Sequence, residues 1–300
     1  MKKKLSIMLA ITMCLALFAG CGGSPSSSTG TSVAIGAVTP STTAADTANT
    51  DTSLTGTLTL TGSTSMSKVA DLLAEGFKSK YSNITTVVGG NGSGEGPKAV
   101  DDGTAQFGML SRNVKNEENP DNYDKYVIAM DGVAAIVNKD VGVTSLTSEQ
   151  IAKIFTGEIT NWKDVGGVDE KITVLGREAA SGTRAAFEEI LKIQDQCAYA
   201  GEYNETGIVK EKVASTAGSI GYVSLSSVDD SIVALTVDNV APSETTVKDG
   251  SYPISRPFIM ITSKGSADPI VHAFLEYMKS NEGQALITES GCVPVEIKAA

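Results

Sequence analysis

The segment Val174-Leu175-Gly176-Arg177-Glu178-Ala179-Ala180-Ser181-Gly182-Thr183-Arg184 constrains this chain more than any other. Its apolar opening predicts the end of a buried strand, and Arg177 with the small residues after it predicts a tight turn. Ser181 then opens a helix that Ala185, Ala186, Phe187, Ile190 and Leu191 continue. Ser181, Gly182 and Thr183 fall where the first backbone N–H groups of a helix lack intrahelical acceptors. Such amides, flanked by hydroxyls and a guanidinium just upstream, make a pocket for a tetrahedral oxyanion.

The same strand–turn–hydroxyl pattern recurs along the chain. Leu54 to Gly62 alternates apolar and polar residues as a strand does, and it runs into Gly62-Ser63-Thr64-Ser65. Met66, Val69, Ala70, Leu73 and Phe77 follow at helical spacing. One hydroxyl suffices for an N-cap; three in a row favour ligand contact by Thr64 and Ser65. Ile84 to Val88 is a second strand, followed by five glycines between Gly89 and Gly96, with Ser93 among them. Pro97-Lys98-Ala99 lacks the Gly-Lys-Ser/Thr ending of a nucleotide-binding P-loop. Thr104 to Leu110 predicts a third strand, ending at Ser111-Arg112. Ligands of open α/β sheets gather at strand carboxyl ends, so these three ends and the opening segment are expected to converge. Farther on, Tyr126 to Val137 reads as a strand passing between lobes, and Leu146 to Phe155 as a helix capped by Thr147 or Ser148. Phe258 to Thr262 reads as a strand crossing back, and Pro269 to Ser280 as the last helix.

Charge narrows the partners. The formal net charge is −11, and loss of an N-terminal leader carrying Lys2, Lys3 and Lys4 takes it to −14. Such a chain repels nucleic acid and anionic membrane surface, so any anion site must be built from local donors. The leader itself is a basic start, an apolar run from Leu5 to Phe18 too short for an ordinary span, and Leu17-Phe18-Ala19-Gly20-Cys21. Small residues before a cysteine resemble a bacterial lipobox, with Cys21 as the lipidated first residue; an ordinary secretory cleavage site is the competing reading. Gly22 to about Ser53 is rich in Ser, Thr, Gly and Ala and predicts a disordered tether.

Enzyme chemistry finds little support. The single histidine, His272, lies inside the last predicted helix, far in sequence from any hydroxyl cluster, and no metal-ligand spacing occurs. No catalytic residue, metal or cofactor is therefore expected. Of the four cysteines, Cys14 leaves with the leader and Cys21 is lipidated, so Cys197 and Cys292 remain, read as free packed thiols in different lobes. Trp162 is expected to pack a loop. Glu149, Glu158, Asp164, Asp169 and Glu170 read as solvated surface before they read as a docking face.

Taken in order, the motifs Gly62-Ser-Thr-Ser, Gly92-Ser-Gly-Glu-Gly, Phe107-Gly-Met-Leu-Ser-Arg, Ile159-Thr-Asn-Trp, Gly176-Arg-Glu-Ala-Ala-Ser-Gly-Thr-Arg, Gly218-Ser-Ile-Gly-Tyr and Tyr252-Pro-Ile-Ser-Arg-Pro resemble those of one family. It is that of the phosphate-binding lipoproteins of bacterial phosphate ABC importers. The resemblance implies an α/β, two-lobed periplasmic-binding-protein-like fold of type II, with two α/β domains joined by two crossing strands and the ligand in the cleft. Residues 1–20 would be the signal peptide, 21–53 the tether, 54–132 plus 258–300 lobe 1, and 133–257 lobe 2. Inorganic phosphate would be held by Thr64, Ser65, Ser93 and Ser111 from lobe 1, and by Arg177, Ser181, Gly182 and Thr183 from lobe 2. The partners implied are inorganic phosphate, a membrane permease of a phosphate ABC importer, and the membrane through the lipid on Cys21, with the receptor a monomer. Ser111 stands where some members of the family carry an aspartate, which accepts the proton of bound phosphate and repels sulfate. With serine there, selectivity must come from acceptors elsewhere, Glu95 and Glu178 being candidates, or from geometry; sulfate is still expected to compete poorly. Arg112 is read as a salt bridge at the cleft rim ahead of a phosphate contact. The alternative is a surface lipoprotein of the same fold that serves as sensor or adhesin, or that receives another tetrahedral oxyanion.

Overall fold

A computed structural model describes residues 53–299. The leader, Cys21 and nearly all of the predicted tether lie outside the described residues. The first half of the chain contributes β1 (Gly56–Gly62), α1 (Ser67–Lys80), β2 (Ile84–Gly89), α2 (Glu95–Asp101), β3 (Phe107–Leu110) and the long strand β4 (Tyr123–Val137). Then come β5 (Ser145–Leu146), α3 (Ser148–Phe155), β6 (Thr173–Arg177), α4 (Gly182–Leu191), β7 (Gly201–Tyr203), α5 (Thr206–Ser215) and β8 (Ser219–Ser224). The chain closes with β9 (Val233–Ala234), β10 (Thr236–Val237), α6 (Glu244–Lys248), β11 (Ser255–Ser263), α7 (Pro269–Lys279), α8 (Asn281–Glu289) and β12 (Val293–Pro294).

The main sheet runs β2-β1-β3-β11-β4-β8-β6-β7, with β9 and β12 also on β4. β2, β1 and β3 are mutually parallel, as are β8, β6 and β7. Between these sets lies the antiparallel pair of β11 and β4. The lower part of β4, from Tyr123 to Gly132, pairs with β11, whereas Val133 to Val137 pairs with β8. One strand thereby belongs to both halves, because its apolar run is long enough to be buried in each.

Two cores flank the crossing. The first gathers Leu58, Leu60, Phe77, Phe107, Phe274 and Met278. Phe77 meets Phe274 edge to face with ring centroids 5.2 Å apart. The second gathers Phe155, Trp162, Phe187, Ile220 and Tyr222. The alternation in β1 explains its half: Leu58 and Leu60 point inward while the threonines between and beyond them are at most half-buried. Trp162 is fully buried and donates its indole N–H to Gly218 O at 2.8 Å, so it packs a loop as expected. Cys292 is buried with the first core, Cys197 packs beside the second, and both are free thiols.

Where the crossing strands meet, Arg256 sits opposite Asp131 in register. Its Nε and Nη2 donate to Asp131 Oδ2 at 3.2 and 3.0 Å, and Ser224 Oγ donates to Oδ1 at 2.7 Å. Both residues are almost wholly buried. Arg256 also donates from Nη1 to Ser111 O at 3.3 Å, which ties the crossing to the end of β3.

Two sequence expectations need correction. Pro269–Lys279 is not the last helix: Ser280 ends α7 and at the same time N-caps α8, accepting from Gly283 N. A cap shared by two helices leaves no loop residues to signal a boundary. The first helix begins at Ser67 rather than at the hydroxyl cluster, since Thr64–Met66 forms a separate 3₁₀ turn. Among the described residues no helix is long and apolar enough to cross a membrane.

Candidate anion site

The parallel set β1, β2 and β3 and the parallel pair β6 and β7 run in opposite senses and end on one region. The hydroxyls after β1 cap nothing. Ser63 stands at the N-cap position without a side-chain cap bond; its hydroxyl instead donates to Ser111 Oγ at 2.9 Å. Ser93, from the turn after β2, accepts from Ser111 N at 3.0 Å and lies 3.3 Å from Ser111 Oγ. Ser63, Ser93 and Ser111 are thus one hydroxyl cluster, each at most 2% exposed.

The other half supplies the charge. Arg177 ends β6 at 1% exposure. It donates from Nε to Tyr203 O at 3.1 Å, from Nη1 to Thr206 Oγ1 at 2.9 Å and from Nη2 to Asn204 O at 2.8 Å. All three partners are neutral. A guanidinium has five N–H groups, so two remain for another acceptor. Burial, reinforced by Arg256, pulls this guanidinium down from the ordinary arginine value to about 10. Helix α4 begins beside it. Ser181 Oγ accepts from Arg184 N at 3.3 Å, and the first intrahelical bond runs from Ala185 N to Ser181 O. The amides of Gly182 and Thr183 precede that bond and are therefore the helix's unclaimed donors.

The two sides touch through hydroxyls. Ser65 Oγ lies 2.6 Å from Thr183 Oγ1 and 2.9 Å from Thr206 Oγ1, with Thr64 Oγ1 3.4 Å from Thr206 Oγ1. Gly94 N also donates to Ala180 O at 3.1 Å. The approach is close enough to demand glycine at 182. A Cβ there would stand 2.1 Å from Ser93 Oγ and 2.6 Å from Ser111 Oγ.

All eight residues singled out from the sequence, Thr64, Ser65, Ser93, Ser111, Arg177, Ser181, Gly182 and Thr183, converge here. Thr206 and Ser63 join them and were missed. β7 is only Gly-Glu-Tyr, with no apolar alternation, so the strand that delivers Thr206 carried no signal; Ser63 resembled a cap. Arg112 faces away: Nη1 and Nη2 fork onto Glu118 at 2.8 and 2.6 Å, the salt bridge expected of it. Of the two candidate acceptors, Glu95 turns to Lys98 at 3.4 Å on exposed surface. Glu178 differs. Its Oε1 is shielded from solvent without a hydrogen-bond partner, 3.4 Å from the place of a Cβ on Gly92. His272 is exposed on α7, away from these groups.

The arrangement is a shell of amide, hydroxyl and guanidinium donors around one buried cation, with no general base among the hydroxyls. The comparisons agree with that chemistry. A family model described as the PBP superfamily domain matches residues 38–282. The phosphate-binding protein PstS of Bacillus subtilis is 33% identical over 98% of this chain and 95% of its own length. That of Borreliella burgdorferi is 28% identical over 78% of this chain and 88% of its own. Among solved structures, a phosphate ABC transporter substrate-binding protein with bound phosphate from Clostridium perfringens superposes with a TM-score of 0.77 at 36% identity, covering 80% of this chain and all of that one. An ABC-type phosphate transport receptor from Vibrio cholerae gives 0.68 at 33% identity, with the same coverage. The chain belongs to the PBP superfamily and, within it, to the family of PstS phosphate-binding proteins.

Proposed function

We propose that this protein is an extracytoplasmic receptor that binds inorganic phosphate between its two halves and delivers it to an ABC permease. The observation that carries the reading is Arg177: a buried cation whose three protein partners are all neutral, set beside the unclaimed amides of α4. A dehydrated phosphate needs a nearly complete set of donors, and these groups supply one despite the acidic chain. Thr64, Ser65, Ser93, Ser111, Ser181, Gly182 and Thr183 complete the shell with Arg177, and Thr206 supports it. The lobes are 54–132 with 258–300, and 133–257, hinged where β4 and β11 cross. Lipid on Cys21 anchors a monomer through the 21–53 tether. The protein is a receptor, with no reaction of its own.

Selectivity is assigned to Glu178. The hydroxyl and amide groups can donate to any oxyanion, but only an acceptor distinguishes phosphate, which keeps a proton at neutral pH, from sulfate, which does not. Titration calorimetry with phosphate, arsenate, molybdate and sulfate tests the whole reading. Phosphate is expected to bind tightly and sulfate weakly. Equal affinities would remove Glu178 from this role, and no phosphate binding at all would refute the receptor. Radiolabelled palmitate incorporated by the wild type and absent from Cys21→Ala is the expected sign of the anchor.

A further inference from the structure

Behind the anion-facing side of Arg177, a closed ring of hydrogen bonds begins and ends on its own backbone. Arg177 N–H donates to Tyr222 Oη at 3.1 Å. The two tyrosine hydroxyls are 3.1 Å apart, and Tyr199 O–H donates to Glu188 Oε1 at 2.9 Å. Because Tyr199 spends its proton on Glu188, the Tyr222 hydroxyl must donate to Tyr199. Glu188 Oε1 also accepts from Arg184 Nε at 2.8 Å, and Arg184 Nη1 returns to Arg177 O at 3.0 Å. Donation runs one way from Arg177 N–H through the two tyrosines to Glu188, which accepts from both sides. Arg184 closes the circuit by donating both to Glu188 and to Arg177 O, with Glu202 Oε1 also 3.1 Å from its Nη1.

The ring is held from outside as well. Tyr222 is fully buried and stacks on Phe187 of α4 with centroids 4.3 Å apart. The Arg184 guanidinium lies 4.9 Å over the Tyr199 ring, and Glu188 is 4% exposed. Gly176 admits the Tyr199 ring, since a Cβ there would come within 2.2 Å of it. Burial pushes both tyrosines above their ordinary range, so each stays an O–H donor at neutral pH. Arg184 also gives its backbone N–H to Ser181 Oγ, the cap of α4. The circuit therefore fixes the end of β6 and the start of α4 against each other, which sets the spacing between the Arg177 guanidinium and the Gly182 and Thr183 amides.

We propose that Tyr222, Tyr199, Glu188 and Arg184 are positioning residues for the anion grip, acting on phosphate only through Arg177. The proposal rests on the reading of Arg177 as a phosphate ligand. From Arg177 N–H through Tyr222 and Tyr199 to Glu188 each bond polarises the next, so cutting one link weakens the others.

The test is equilibrium dialysis of radiolabelled phosphate against Glu188→Gln, Tyr199→Phe and Tyr222→Phe, each made in the wild-type mature protein and again in Arg177→Ala. Each variant is expected to weaken phosphate binding roughly tenfold to a hundredfold in the wild-type background, the range outer partners of a ligating group carry. In the Arg177→Ala background the same change is expected to shift affinity by less than about twofold, as a shared pathway requires. Equal losses in both backgrounds, or no loss in the wild type, would overturn the proposal. Hydrogen exchange of the Arg177 amide in the ligand-free protein gives a readout that does not depend on phosphate. Tyr222→Phe is expected to speed it more than tenfold while its neighbour in β6, the Gly176 amide, stays protected, and unchanged protection would overturn the ring. Should the wild type bind no phosphate, the receptor reading fails while the exchange experiment still judges the ring. Tyr199 is only half-buried, so its phenylalanine variant keeps the test available if Tyr222→Phe fails to fold.

Discussion

Replacing Arg177 by methionine separates the anion grip from the stability of the protein. The guanidinium has two N–H groups uncommitted after its bonds to Tyr203, Asn204 and Thr206. Charge-assisted hydrogen bonds contribute about 1.5–3 kcal/mol each, so losing two should weaken phosphate by about 3–6 kcal/mol, or roughly 10²- to 10⁴-fold in Kd. The ligand-free protein behaves differently. Burial has pulled Arg177 down to about 10, a drop from its ordinary value that corresponds to about 3 kcal/mol of unfavourable charge burial. Methionine removes that cost and leaves two carbonyls and a hydroxyl without their donor, at about 1 kcal/mol each. The two effects nearly cancel, so stability without phosphate should change by no more than about 1 kcal/mol. Calorimetric titration with phosphate and urea unfolding without it measure the two quantities on the same sample. The sign can also be checked by pH. The folded value lies below the unfolded one, so the unfolded state holds more protons above about pH 10 and wild-type stability gains from this group as pH rises through that window; the methionine variant lacks the gain. Affinity within threefold of wild type would refute the assignment of Arg177.

Other sites give sharper or simpler outcomes. Gly182→Ala places a methyl against Ser93 and Ser111, and overpacking of about 1–3 kcal/mol should appear as weaker phosphate binding with the fold retained by circular dichroism. Asp131→Ala leaves Arg256 buried and unpaired, so a loss of about 3–5 kcal/mol is expected in chemical unfolding. Glu178→Gln should raise sulfate affinity relative to phosphate in competition titrations, and an unchanged ratio would count against its role as acceptor. In residues 22–300, whose cysteines are Cys197 and Cys292, two thiols should react with a disulfide reagent after denaturation, and almost none before it at neutral pH. Burial pushes Cys197 up to about 11 and Cys292 up to about 12, so thiolate, the reactive form, is scarce.

Much of the site was legible because a strand ending in small hydroxyl residues is a local pattern. Thr64, Ser65, Ser111 and Ser181 each follow closely on a strand's apolar run, Ser93 lies in the glycine-rich turn after another, and Arg177 ends one. Thr206 was not legible, because its strand is three residues long and owes its existence to pairing with β6. The same holds for α8, whose start shares Ser280 with α7.

What the chain's order of residues determines by itself is the chemistry: hydroxyls and unclaimed amides at strand ends, one arginine among them, a single histidine far in sequence from every hydroxyl cluster, and an acidic balance that forces any anion site to be local. Those are properties of residue type and spacing, and they survive any arrangement of the elements. Tertiary structure decided which groups are free to meet an anion. It turned Arg112 outward to Glu118, sent Glu95 to the surface, left Glu178 Oε1 without a donor and drew Thr206 into contact with Arg177. It also closed a ring from Arg177 through Tyr222, Tyr199, Glu188 and Arg184, with Arg177 and Tyr222 45 positions apart, which only the parallel pairing of β6 with its neighbours brings together. Partner choice is a matter of distance in space, and for polar groups buried together that distance decides everything.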